Sequence, residues 1–199
     1  IVLAEIERVA RDLDRNFKRG DVERAIAQLK DVHDAVRGMR SEISLGNGSL
    51  WARQLAGIRA GIAGSFKSDL ETIPGRIRRL IRITSGKQAI CGSVDPAEVD
   101  EIEGMLVCLN ACKSFAGELA LNEITARVLS DLQNYLENGS HTLLEVLRNA
   151  EGSERIYRLA QMEATIRFCA KLFGDDYAIQ LSRAMDVAAT AERKAAAKA

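Results

Sequence analysis

The sequence predicts an all-α fold, a multi-helix bundle of about eight or nine helices opened by a long antiparallel helical hairpin. Apolar residues recur at three- and four-residue spacing along almost the whole chain, which is the pattern of amphipathic helices. Aromatic residues make up 5% of 199 positions and proline occurs twice. Aliphatic side chains and alanine must therefore fill the core, a composition better suited to helix packing than to sheets. No stretch reads convincingly as a strand.

The first helix places Leu3, Ile6, Ala10, Leu13 and Phe17 on one face. Gly20 and Asp21 end it and start the next, as a C′ glycine followed by an N-cap aspartate. Val22, Ala25, Leu29, Val32, Val36, Met39 and Ile43 then repeat the spacing without a fault, so two helices of twenty-odd residues are expected to pair across the turn. No 34-residue period follows the GDVERAI turn, which excludes a tetratricopeptide array.

A loop at 45–49 ends in Ser49 as a plausible cap. The next helix sets Trp51, Leu55, Ile58, Ile62, Phe66 and Leu70 on one face, and Pro74–Gly75 is expected to break or kink it. The arginine-rich stretch beyond would then be a shorter helix or the same helix bent. Residues 84–93 form the most loop-like interval, dividing the chain into 1–87 and 95–199, as two subdomains or one continuous domain. Asp95, Pro96 and Glu98 open a central helix at N-cap, N1 and N3. Further helices are expected over 122–137 and 141–149, then from Ser153 with Ile156, Leu159, Ile166 and Phe173, and finally from about 176.

Lysines and arginines balance aspartates and glutamates at 28 each, yet the charges are segregated. Residues 1–87 hold 17 basic and 11 acidic side chains, and residues 88–199 hold 11 and 17. Arg76, Arg78, Arg79 and Arg82 fall within seven positions of the stretch PGRIRRLIRITSGK, which contains no acid. Just downstream lie Asp95, Glu98, Asp100, Glu101 and Glu103. The favoured reading is that the two segments, or those of two subunits, neutralise one another. Phosphate recognition is the alternative, because the planar guanidinium fork suits phosphate and clustered positive charge attracts nucleic acid. A neutral overall balance and the absence of interleaved aromatics argue against it. A membrane surface is a third option, since isoleucines and a leucine interleave with the arginines.

A second unusual stretch is AGIRAGIAGS, residues 56–65. Gly57, Gly61 and Gly64 cost up to about 1 kcal/mol each in a helix interior relative to alanine. Small residues at this spacing let another helix approach closely, either inside the bundle or from a partner.

Motifs that support chemistry are absent. Ser85–Gly86–Lys87 lacks the earlier glycine of a phosphate-binding loop, since position 81 is Ile. Cys108 and Cys112 share a helix face and could be completed as a metal site by Cys169 or His141, but core cysteines behave as small hydrophobes. His33 borders the hairpin seam, and His141 with Glu145 is expected on an exposed loop and short helix. No Glu-x-x-His motif, nucleophile elbow, dinucleotide fingerprint or calcium loop occurs.

The sequence thus predicts a non-enzymatic interaction, scaffold or adaptor protein. It would self-associate or bind another protein through the 22–43 face, the glycine face and the 76–82 segment, without cofactor or metal. Its rivals are a helical nucleic-acid or polyanion binder and, more remotely, a ligand-binding or metal-dependent helical enzyme. Four cysteines in irregular spacing suggest a reducing cytoplasm. No apolar run approaches the length of a membrane span. The chain begins at Ile1 rather than Met, so the lack of a signal peptide carries little weight.

Overall fold

A computed structural model describes residues 2–42, 49–82 and 92–196. Among them there are seven helices and no strand: α1 (Val2–Lys18), α2 (Val22–Glu42), α3 (Leu50–Leu80), α4 (Pro96–Leu119), α5 (Asn122–Asn149), α6 (Gly152–Phe173) and α7 (Asp175–Ala196). The all-α prediction holds, but the count of eight or nine does not. Position 43, the loop at 45–48, and residues 83–91 with Lys87 and Cys91 lie outside the described residues.

Helix runs on through both predicted interruptions, so at Pro74 the single-helix alternative holds and the break does not. Pro74 lies inside α3, although proline removes a backbone donor and crowds the preceding turn. The apolar stripe explains its tolerance, because Ile77, Leu80 and Ile81 are buried beyond it and each buried aliphatic side chain contributes roughly 1.5–3 kcal/mol. Gly139–Ser140 lies inside α5, where both residues are buried between Leu136 and Leu143. The Ser140 hydroxyl donates to the carbonyl of Glu137 at 2.9 Å. The pair supplies two small residues to a core-facing stripe instead of a turn.

Helix ends follow the expected chemistry more closely. Gly20 adopts φ 76°, and the amide of Asp21 donates to the Asn16 carbonyl at 3.1 Å, closing α1 in a Schellman turn. Asp21 then caps α2 through its contact with the Arg24 amide at 3.3 Å. Ser49 Oγ accepts from the Ala52 amide, and Asp95 Oδ1 from the Ala97 amide. Ser153 does not cap α6; the N-cap is Glu151. Ala120 takes the same left-handed position after α4 that Gly20 takes after α1, with φ 57°. Leu121 completes that turn by donating to the Ala116 carbonyl at 3.1 Å, while its own side chain is fully buried.

The chain forms two compact units: residues 1–73 with 107–128, and residues 74–106 with 129–199. In the first, α1 packs on α2, and Asn16 bridges to Gln28 at 2.9 Å. The first arm of this hairpin has 17 residues, about 25 Å at 1.5 Å per residue, shorter than predicted. Ala25, Leu29, Val32, Val36 and Met39 are buried within the unit, so these positions of the predicted contact stripe are internal core. In the second unit α6 packs on α7. Its buried face differs from the predicted one: Tyr157, Arg158, Gln161, Thr165 and Phe168 point inward, while Ile156 is 72% exposed.

Candidate functional site: the faces of α3

Within the first unit, Leu55, Ile58, Ile62, Phe66 and Leu70 anchor α3 in the core, whereas Trp51 is 46% exposed. The opposite face is unusual. From Gln54 to Gly64 its exposed positions are Gln54, Ala56, Gly57, Ala60, Gly61 and Gly64, and none carries a charge. A solvent-facing helix stripe ordinarily carries charged and polar side chains. A Cβ added at Gly57, Gly61 or Gly64 would meet nothing within 4 Å. Close helix packing inside the chain is therefore not what the glycines serve among the described residues. Beside Gly61 a groove of about 350 Å³ runs between α1 and α3. Ile58, Ile62 and Ser65 lie along its α3 side, with Glu7, Ala10 and Arg11 on its α1 side.

Arg76, Arg78 and Arg79 lie in the last turns of α3 and Arg82 just beyond its end, in the second unit. Arg76 pairs with Glu101 and also reaches the sulfur of Met105 at 3.3 Å. Arg79 pairs with Glu98. These two contacts realise the expected meeting of the basic segment with the acidic start of α4. Arg78 goes elsewhere, to Asp131 of α5, with its guanidinium 5.3 Å from the centre of the Tyr135 ring. Arg82 is exposed and has no ion pair with a described residue. Asp100 and Glu103 instead hold Arg167 of α6, and Lys171 reaches Glu103 at 2.9 Å. Burial alone would push the Glu103 carboxyl up, but the hydrogen bonds from Lys171 and Arg167 outweigh it and hold that carboxyl below the usual range.

Sequence reasoning missed a buried network at the end of α3. Arg158 is 1% exposed, yet its guanidinium donates to the Arg82 carbonyl at 3.1 Å and to Gln161 Oε1 at 3.0 Å, with Glu154 at 3.4 Å. Gln161 Nε2 donates to the Leu80 carbonyl and to the Tyr157 hydroxyl, both at 3.0 Å. The Tyr135 hydroxyl donates to the Ile81 carbonyl at 2.6 Å. Three successive terminal carbonyls thus find side-chain donors, and a cation sits at the negative end of the helix dipole. The available signal was the i, i+3 spacing of Arg158 and Gln161 on the buried side of α6.

Cys108, Cys112 and Cys169 are buried free thiols. A hydrogen bond with Cys108, together with burial, raises the Cys112 thiol, while burial pushes Cys169 up to about 12. His33 contacts Asp34 at 3.0 Å and stacks at a tilt on Phe115. His141 and Glu145 are both exposed on continuous helix α5, not on a loop. Among the described residues no group of three His, Cys, Asp or Glu side chains could hold a metal ion. Nor is any helix among them long and apolar enough to cross a membrane. No family model matches the chain, and no curated protein or solved structure does.

Proposed function

We propose that the protein is a non-enzymatic helical interaction protein that self-associates through the outer face of α3. The observation behind this reading is the uncharged exposed strip from Gln54 to Gly64, whose three glycines have no packing neighbour within 4 Å. Mid-helix glycine has a propensity cost that nothing near these positions in the described residues offsets. Close approach of a second helix offsets it. The second helix is taken to be another copy of the chain because the face is complementary to itself in charge. Arg53 precedes the glycines, and Glu71, whose part-exposed carboxylate also holds Arg127, follows them. Antiparallel packing about Gly61–Ile62 brings one copy's Arg53 to the other copy's Glu71, an isologous arrangement.

Carboxylate partners on Arg76, Arg78 and Arg79 favour this reading over phosphate binding, since a phosphate at the cluster would meet Glu101, Asp131 and Glu98 beside the guanidiniums. The buried free thiols fit a cytoplasmic setting. Sedimentation velocity over a range of concentrations tests the proposal. A reversible dimer is expected, and a single monomeric species at every concentration would overturn it.

A further inference from the structure

In the second unit, a cleft of about 390 Å³ lies between α5 and the last turns of α3. Asp131, Asn134, Tyr135, Asn138 and Thr142 line it from one stripe of α5, and Arg78 faces them from α3. We propose that this cleft binds a small zwitterion of the α-amino-acid class.

The guanidinium of Arg78 is oriented before any ligand arrives. One nitrogen donates to Asp131, and the group lies over the Tyr135 ring, which is itself fixed by its hydroxyl bond to the Ile81 carbonyl. The side chain of Arg78 is nevertheless 46% exposed, and its Nε and Nη1 have no hydrogen-bond partner among the described residues. Asn138 donates through Nδ2 to the Asn134 carbonyl at 2.9 Å, which leaves Oδ1 as an acceptor. Thr142 donates to the Asn138 carbonyl at 3.3 Å.

These groups select by charge. A polyanion meets the Asp131 carboxylate, a metal cation meets the guanidinium, and an apolar molecule leaves the amides unsatisfied. A molecule bearing one carboxylate and one ammonium satisfies both: its carboxylate accepts from Arg78, and its ammonium donates to Asp131 and to Asn138 Oδ1. The resident Arg78–Asp131 pair is about half exposed on both sides, so it yields Asp131 to the ligand ammonium at little cost while the Tyr135 ring keeps the guanidinium in place.

Two-dimensional amide NMR of the full chain, titrated singly with the free L-amino acids, tests the proposal. Saturable shifts confined to 78–82 and 131–142 are expected for at least one of them. Binding should weaken about ten-fold or more in Arg78→Gln and in Asp131→Asn, and for the ligand's decarboxylated or deaminated analogue. Asn138→Leu, which spares the ion pair, should also weaken it. No saturable shift with any amino acid, equal binding of the singly charged analogues, or binding unchanged in all three variants would overturn the assignment.

Discussion

Arg158 donates from its buried guanidinium to the backbone carbonyl of Arg82 at 3.1 Å, so the end of α3 is closed by a side chain from α6. Removing that donor leaves the Arg82 carbonyl without its side-chain partner and Gln161 Oε1 buried without one. Arg158→Leu is expected to lower unfolding free energy by about 2–4 kcal/mol, and Arg158→Lys to recover only part of it because the fork is lost. Urea denaturation checks this. Unchanged stability in Arg158→Leu would remove the capping role.

The exposed glycines predict an effect of opposite sign. Nothing lies within 4 Å of a Cβ added at Gly57, Gly61 or Gly64, and none of them has a positive φ. Each Gly→Ala change should raise stability by about 0.5–1 kcal/mol through helix propensity alone. Chemical denaturation at a concentration too low for self-association isolates that term. A loss of stability would show packing at these positions.

Ala120 occupies a left-handed conformation at φ 57° without being glycine. Ala120→Gly removes the Cβ strain and should stabilise the chain by roughly 1 kcal/mol, despite the greater freedom of glycine in the unfolded state. Thermal melting of the pair decides the sign, and a lower Tm would contradict the Schellman assignment.

Glu103, held by Arg167 and Lys171, has a folded-state pKa below the ordinary 4.5. Its contribution to stability is therefore fully present above that ordinary value. It is lost as pH falls from there through the lowered folded value, because the unfolded chain takes up the proton first. Glu103→Gln should cost about 1 kcal/mol near neutral pH and progressively less in acid. A difference that does not shrink below about pH 4.5 would rule out this carboxylate as the origin.

How far the fold was legible depended on which chemistry was local. Asp21, Ser49 and Asp95 announce helix starts because a cap is a contact within three residues of sequence. Pro74 and Gly139–Ser140 misled because their local penalties are outweighed by burial along the same stripe, which depends on tertiary neighbours. The small residues of 56–65 were visible as a stripe, but their outward direction was not; that required knowing that Leu55, Ile58, Ile62 and Phe66 take the core. Partners for Arg76 and Arg79 were legible from the charge reversal downstream. Asp131, more than fifty residues from Arg78, was not.

The central claim is that the uncharged outer face of α3 holds two copies together. Gly61→Leu separates this claim from fold stability, since leucine has high helix propensity and nothing within 4 Å obstructs its Cβ. The measurement is sedimentation velocity of Gly61→Leu beside the natural chain, with urea denaturation of both. Loss of the dimer together with an equally or more stable monomer is the expected result. A dimer that persists unchanged in Gly61→Leu would contradict the claim.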